Sequence, residues 1–160
     1  MRRYFLRKKE AKAFLAEMAR LGVDLGRGAR GRVEVTELDD LKLFLLDGQP
    51  LAAERKGRLF PLLTRPEALE ALPAVVVDMG AVPHVCNGAD VMAPGVVEVR
   101  GDFRPGDLVK VLDERHGKAI ALGEALFSSG EVRGMRKGKV VKNLHYVGDR
   151  IWRLAKSLVG

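Results

Sequence analysis

The segment from Val77 to Val96 holds residues whose types and spacing suit it to binding a polynucleotide backbone. It reads Val-Asp-Met-Gly-Ala-Val-Pro-His-Val-Cys-Asn-Gly-Ala-Asp-Val-Met-Ala-Pro-Gly-Val and is rich in glycine and alanine. Glycine has no side chain, so a phosphodiester backbone can approach the main-chain N–H donors of such a loop closely. The same small residues also serve as turn residues that close a small barrel. From the residues alone, both interpretations stay open.

A run of basic residues follows later in the chain, and no carboxylate lies between Glu131 and Asp149. Its members are Arg133, Arg136, Lys137, Lys139 and Lys142. Such a run is usually a solvated face, but beside a glycine loop it would neutralise phosphates. A second basic patch is expected from one of two further sets. These are Arg27, Arg30 and Arg32, or Arg2, Arg3 and Arg7.

Catalysis and metal binding find little support in the sequence. No nucleophile with a base, paired carboxylates or phosphate-cradling glycine motif stands out. His84 and Cys86 suggest a metal, but on a helix two residues apart they face directions about 200° apart. A four-ligand zinc site would need either all four of the chain's cysteine and histidine side chains or added carboxylates, because the chain has one cysteine and three histidines. We therefore expect no enzyme activity, no metal and no cofactor, with Cys86 as a small buried hydrophobe.

Composition supports a folded protein with a polyanionic partner. The 160 residues include 28 Lys and Arg against 21 Asp and Glu, which gives a net charge of +7. Hydrophobic residues make up 47% of the chain, as in globular proteins. The single cysteine fits a reducing compartment, and neither a membrane-spanning apolar run nor a signal peptide is visible. A cytoplasmic location is expected.

The first half of the chain predicts a helix followed by an antiparallel meander. Apolar residues at three- and four-residue spacings predict an amphipathic helix over about 7–21. Asp47-Gly48 and Lys56-Gly57 predict hairpin turns between strands. The predicted strands are 33–38, 41–46, 51–54 and 58–62. A short helix ends at Pro73, where we place a boundary between domains of residues 1–73 and 74–160.

The second half predicts short strands around one short helix. Asp78 can cap a helix over about 81–87, Gly88 ends it in a left-handed conformation, and Pro94-Gly95 has the residue order of a type II turn. The predicted strands are 74–78, 96–100, 108–112, 118–126 and 145–152. Short strands at this spacing are typical of a small barrel.

The order of motifs in the second half resembles a PUA domain. The likeness rests on Val77-Asp-x-Gly-Ala81, Gly88-Ala-Asp-Val-Met-x-Pro-Gly95, Gly106-Asp-Leu-Val-x-Val111 and Asn143-Leu-His-Tyr146. The whole chain is similar to the malignant T-cell amplified sequence family of translation factors, which share a pre-PUA domain with ligatin. The resemblance implies an α+β fold, with an N-terminal α/β pre-PUA domain that carries the meander and a C-terminal PUA β-pseudobarrel.

The resemblance also implies a function and a set of contacts. Members of the family bind RNA through the short helix, the glycine loop and the last strand. On this chain those positions are Gly80, Gly88, Ala89, Asp90, Met92, Pro94, Gly95 and His145. The expected partners are structured ribosomal or transfer RNA, the small ribosomal subunit and a second translation factor, which in eukaryotes is density-regulated protein. The alternatives are a protein-interaction adaptor, or an accessory RNA-binding subunit for an RNA-modification enzyme.

Overall fold

A computed structural model describes residues 1–23, 25 and 31–159. The chain forms two compact units. The first contains Met1–Ala71 together with Arg153–Gly160, and the second contains Leu72–Trp152. Among the described helices, none is long and apolar enough to cross a membrane.

The first unit is a five-stranded antiparallel sheet with one main helix. Its strands lie in the order β1-β2-β3-β4-β5. Their bounds are Arg2–Phe5 (β1), Val33–Leu38 (β2), Leu41–Leu46 (β3), Gln49–Arg55 (β4) and Arg58–Pro61 (β5). Helix α1 spans Lys8–Arg20, and a 3-10 helix covers Pro66–Leu69. The predicted helix and meander are confirmed.

Two-residue turns set the register of the meander. Asp47 and Gly48 have φ angles of 49° and 82°, and Lys56 and Gly57 have 52° and 76°. Two successive positive φ angles are typical of the type I′ turn, whose twist matches that of the strands it joins. Both hairpins predicted from these dipeptides are confirmed.

Helix α1 packs its apolar stripe on one face of the sheet. Ala11, Phe14 and Met18 are buried, and the Phe14 ring stacks on the Phe44 ring with centroids 4.5 Å apart. Strand β1 was not predicted, because its residues Arg-Arg-Tyr-Phe carry no alternating apolar pattern.

The second unit is a six-stranded curled sheet of pseudobarrel type. Its strand order is β7-β11-β10-β9-β6-β8. The strands are Ala74–Val77 (β6), Val91–Met92 (β7), Val96–Arg100 (β8), Leu108–Asp113 (β9), Ala119–Ala125 (β10) and Lys139–Tyr146 (β11). Its helices are Val82–Val85 (α2), Ser129–Gly134 (α3) and Arg150–Ser157 (α4), the last of which continues into the first unit. The pairing of β6 with β9 is parallel, and the other pairings are antiparallel.

The predicted strand over 145–152 is wrong. The last strand ends at Tyr146, and a helix begins at Arg150. Gly148 has a φ of 88°, which reverses the chain, and the Asp149 carboxylate accepts the N–H of Trp152 at 2.7 Å, as an N-cap does. Trp152 is half-buried on this helix.

The predicted type II turn at Pro94-Gly95 is also wrong. Residues Ala93–Gly95 form a 3-10 turn, and Gly95 lacks the positive φ that a type II turn requires. A Cβ at Gly95 would lie 3.1 Å from the Ala81 Cβ. The glycine therefore allows close packing of the turn on the start of α2.

Candidate RNA-binding site

The carboxyl end of β6 anchors both walls of the candidate site. The Asp78 carboxylate accepts the N–H of Ala81 at 2.8 Å, and the Asp78 N–H donates to the carbonyl oxygen of Gly95 at 2.9 Å. The first bond closes the turn that leads into α2, and the second holds the 3-10 turn. The helix is shorter than predicted and its N-cap is Ala81, so Asp78 closes the preceding turn and does not cap the helix directly.

Gly88 ends α2 in a left-handed conformation, as predicted, with a φ of 95°. A Cβ there would lie 3.2 Å from the Tyr146 Cε1. Gly88 is therefore required both by the backbone and by the aromatic ring beside it. Gly80 is exposed, and a Cβ there would approach only the Asp78 carboxylate, at 3.4 Å.

A surface cavity of about 430 Å³ opens between α2, the glycine loop and the 3-10 turn. Predicted contact residues that line it are Ala89, Asp90, Met92, Pro94 and Gly95. The remaining lining residues are Asp78, Ala81, His84, Val85 and Val91. Met92 is 44% exposed at this cavity. The lining is mainly apolar, with His84 and two carboxylates as its polar groups.

Asn143 on β11 holds the glycine loop against the barrel. Its Nδ2 donates to the carbonyl oxygens of Val85, at 3.1 Å, and Ala89, at 2.9 Å. Its backbone N–H donates to the Asp90 Oδ1 at 2.9 Å. The side chain thus ties together the end of α2 and the start of β7. Asn143 was absent from the predicted contact set, although it opens one of the motifs that carry the family resemblance.

Part of the basic run lies directly beside the cavity. Lys139 pairs with Met92 across the β11–β7 ladder, and its Nζ lies 3.3 Å from the Asp90 Oδ2. Arg136 and Lys137 are exposed in the turn before β11. This turn adjoins the cavity, because the Ala93 N–H donates to the carbonyl oxygen of Gly138 at 2.8 Å. The backbone of the basic turn therefore adjoins the cavity, and the Lys139 side chain contacts one of the residues that line it.

Two members of the basic run lie elsewhere. The Arg133 guanidinium donates to the carbonyl oxygens of Val99, at 3.5 Å, and Gly101, at 3.2 Å, at the end of β8. Lys142 is exposed on β11, and its Cα partner on β10 is Glu124. Arg133 thus covers a strand edge, and it does not extend the rim formed by Lys139.

The structure corrects the placement of His145. Its side chain is 0% exposed, and its Nδ1 lies 2.8 Å from the Asp149 Oδ2. A residue with no accessible surface cannot contact RNA. Burial alone would raise the pKa of Asp149, but the hydrogen bond and charge of His145, together with two backbone N–H donors, lower it below its ordinary value. This buried pair stabilises the junction between β11 and α4.

The second predicted basic patch is largely neutralised in the described residues. Arg2, Arg3 and Arg7 form ion pairs with Glu37, Glu34 and Glu10, respectively. Arg32 places its guanidinium 3.9 Å from the centroid of the Phe5 ring. Arg27 and Arg30 lie outside the described residues.

His84 and Cys86 lie on different sides of α2. His84 is exposed at the cavity, whereas Cys86 is half-buried against the barrel core. Burial raises the pKa of the Cys86 thiol, and the charge of Asp113 adds to this. In the part of the chain that the structure describes, no group of three His, Cys, Asp or Glu side chains could hold a metal ion.

Comparisons with known proteins identify the family of the chain. Residues 73–147 match the PUA domain family, and residues 2–65 match a family described as a domain of unknown function, DUF1947. An uncharacterized protein of Methanocaldococcus jannaschii is 42% identical over 156 residues, which cover 94% of this chain and 95% of the relative. The chain belongs to the PUA-domain proteins. The PUA match spans the whole cavity and the basic turn beside it.

Two further proteins are homologous to this PUA protein. Translation machinery-associated protein 20 of Saccharomyces cerevisiae is 29% identical over 134 residues, covering 79% of this chain and 74% of the relative. Malignant T-cell-amplified sequence 1 of Rattus norvegicus is 26% identical over 121 residues, covering 72% of this chain and 66% of the relative. The resemblance inferred from the sequence motifs is confirmed.

Solved structures share the fold. The structure of a conserved PUA domain protein from Thermoplasma acidophilum has a TM-score of 0.78 and 32% identity, covering 96% of this chain and 99% of the other. An H/ACA ribonucleoprotein bound to a substrate RNA matches with a TM-score of 0.50 and 31% identity over 59% of this chain and 28% of the other. The predicted α+β fold with a PUA pseudobarrel is confirmed. The PUA domain and the relatives together point to RNA binding and an association with translation.

Proposed function

We propose that this PUA protein is a non-catalytic RNA-binding factor of the cytoplasmic translation machinery. Its ligand is structured ribosomal or transfer RNA, and its place of action is the small ribosomal subunit, where a second translation factor is expected beside it. The observation that carries the proposal is that the glycine-loop cavity adjoins both the turn that holds Arg136 and Lys137 and the start of β11 at Lys139.

The proposed contacts divide into a cavity and a phosphate-binding rim. The cavity side comprises Gly80, Gly88, Ala89, Asp90, Met92, Pro94 and Gly95. The rim comprises Arg136, Lys137 and Lys139, with Lys142 further along the same strand. Cationic side chains supply most of the affinity for nucleic acid, and small residues let the sugar-phosphate backbone approach the loop. Lys139 is already paired with Asp90, so within the described residues the charge that the rim offers to phosphates comes mainly from Arg136 and Lys137.

The homology to translation machinery-associated protein 20 supports the translation role. The basic charge of the chain, +7 at pH 7, supports a polyanionic ligand. The weak aromatic content, 6% of residues, favours recognition of RNA by shape over stacking of single-stranded bases.

The proposal is tested by binding of the full chain to purified small ribosomal subunits and to total transfer RNA across a salt series. The double variant Arg136→Gln/Lys137→Gln removes two cations from the rim. The control Arg115→Gln/Lys118→Gln removes two exposed cations from the turn between β9 and β10, on the same unit. For the rim variant, we expect the slope of log K against log salt to become shallower by about 1.4 to 1.8, since each of the two lost phosphate contacts contributes about 0.7 to 0.9.

The outcomes separate the candidate functions. Saturable subunit binding that weakens only in the rim variant supports a translation factor. Binding to transfer RNA without binding to subunits would favour an accessory subunit of an RNA-modification enzyme. No binding to either RNA at low salt would overturn the proposal and leave the protein-interaction adaptor.

A further inference from the structure

The N-terminal unit carries a groove that is separate from the RNA-binding cavity. It has a volume of about 760 Å³ and lies between α1 and the start of β2. Its floor is formed by Leu6, Ala11, Leu15 and Val33. Leu6 and Leu15 are half-buried, whereas Val33 is 0% exposed. The groove therefore presents accessible aliphatic surface next to the core of the unit.

Among the described residues, the charged side chains that line this groove are cationic. They are Lys8 and Lys12, one turn apart on α1, and Arg32 on the opposite wall. The two carboxylates of α1 do not neutralise them, because Glu10 pairs with Arg7 and Glu17 pairs with Arg20.

Within the described residues, Lys8 and Lys12 have no carboxylate partner. Lys8 also stands in the first turn of the helix, where a positive charge is unfavourable because of the helix dipole. On the opposite wall, the Asp47 carboxylate accepts the backbone N–H of Arg32 at 3.1 Å, so within the described residues the unbalanced positive charge of the rim is that of Lys8 and Lys12.

We propose that this groove binds an acidic segment of a partner protein, which inserts aliphatic side chains between α1 and β2. The aliphatic floor would bury leucine-like anchors, which supply most of the binding energy at such interfaces. The rim cations would pair with Asp or Glu side chains that flank the anchors and would speed association.

The chemistry of the floor favours a protein segment over RNA at this groove. Phosphates and riboses present little aliphatic surface, and protein–nucleic acid interfaces are more polar than protein–protein interfaces. An acidic segment with aliphatic anchors complements both the floor and the rim. This inference is independent of the proposed RNA function, since its residues and the RNA-binding cavity belong to different units.

The test is selection of peptides on the purified full chain. A displayed library of random peptides of about 16 residues, or roughly four helical turns, is enriched on the immobilised protein. One enriched peptide is then synthesised with a fluorescent label, and its affinity is measured by anisotropy. We expect enriched peptides to be net negative and to carry at least two aliphatic residues.

Variants of α1 locate the binding surface. We expect Lys8→Glu and Lys12→Glu each to lower the affinity for the peptide about tenfold, because a cation at the rim becomes an anion that repels the acidic peptide. Lys9→Glu makes the same change at an exposed helix position outside the groove and should leave the affinity within about twofold. Leu15→Gln should weaken binding while circular dichroism and the melting temperature verify folding.

Three results would overturn the proposal. One is an enriched peptide pool without acidic bias, and another is equal weakening by Lys9→Glu and Lys12→Glu. The third is a loss of ribosomal RNA binding in Lys8→Glu and Lys12→Glu without any effect on the peptide, which would make the groove an RNA surface. The Arg136→Gln/Lys137→Gln variant should retain full peptide affinity whether or not RNA binding is observed.

Discussion

The backbone N–H of Asn143 donates to the Asp90 Oδ1 at 2.9 Å, across 53 positions of the chain. The second oxygen of Asp90 faces the Lys139 Nζ, and the Asn143 amide bonds the two carbonyl oxygens at the end of α2 and in the loop. One asparagine and one aspartate therefore fix the glycine loop, the edge strand and a rim lysine in a single arrangement. The shape of the candidate RNA site depends on this link.

Replacing Asn143 by Asp should disrupt the loop. The change turns a donor of two hydrogen bonds into a carboxylate that faces the same two carbonyl oxygens and adds charge near Asp90. Loss of two hydrogen bonds costs about 2 kcal/mol of unfolding free energy, and the unpaired carbonyls add to this. We expect a lower melting temperature and RNA affinity reduced about tenfold. Calorimetry and a filter-binding titration measure the two effects.

Asn87→Asp is the matched control, because Asn87 is exposed on the same segment and undergoes the same change of charge. It should leave both stability and RNA affinity close to those of the parent protein. Equal losses in the two variants would mean that negative charge alone, and not the hydrogen bonds of Asn143, weakens the site.

Local sequence patterns predicted the parts of the fold that local interactions determine. The hairpins at Asp47-Gly48 and Lys56-Gly57 follow from the residues of the turns themselves. The α1 stripe follows from helical spacing, and the left-handed Gly88 follows from its place after α2. Each of these features needs only a few neighbouring residues.

The end of the chain could not be predicted in this way. Strand β11 contains a pair of adjacent buried residues, Val140 and Val141, where its ladder with β7 is irregular. The bulge breaks the alternation of buried and exposed residues that is typical of a strand. The flanking lysines make the segment resemble an exposed run of charged residues. The start of α4 depends on a cap by Asp149, which the sequence did not distinguish from strand residues.

The candidate site was predicted in part. The resemblance located the loop residues that line the cavity, and the charge run located the basic turn. The sequence could not show that His145 is fully buried, since its burial depends on the packing of β11 against the rest of the barrel. Asn143 acts through hydrogen bonds to residues more than 50 positions away, and no local sequence pattern predicts such contacts.

Met92 offers a direct test of the cavity. Met92→Glu would place a carboxylate at the cavity rim near Asp90, and the side chain is 44% exposed, so the fold should tolerate it. We expect about a tenfold loss of RNA affinity, because phosphates are repelled, with little change in the melting temperature. Val97→Glu on β8, at 51% exposure, introduces the same charge outside the cavity lining and serves as the control. Equal losses in both variants would argue that only net charge matters.

Gly123 should be intolerant of any side chain. It lies at the β-bulge of β10, where a Cβ would overlap the Val141 side chain and the carbonyl oxygen of Lys142. Gly123→Ala should lower the unfolding free energy by about 1 to 3 kcal/mol, as overpacking does in cores. Urea denaturation measures the change.

Gly130→Ala provides the opposite expectation within the same unit. Gly130 lies within α3, has an ordinary φ and has open space around its Cα. Alanine there should be neutral or should stabilise by up to about 1 kcal/mol, because it restricts the unfolded chain and favours helix. If both alanine variants had the same stability, the close approach of β11 to Gly123 would be contradicted.

Asp149 should make the free energy of unfolding depend on pH in the acidic range. Its pKa is lowered in the folded state, so its contribution is fully present above the unfolded value of about 4 and is lost as the pH falls through the folded value. Asp149→Asn removes the charge that His145 and the N-terminus of α4 stabilise. At about pH 7 the variant should be less stable by roughly 1 to 3 kcal/mol, and the difference should shrink below about pH 4. Unfolding free energies from chemical denaturation over this range give the two curves.

The control is Asp102→Asn, which changes an exposed carboxylate, and its curve of stability against pH should run parallel to that of the parent protein. A constant gap between the Asp149→Asn curve and that of the parent would show that the aspartate acts by shape and hydrogen bonding alone, without its charge.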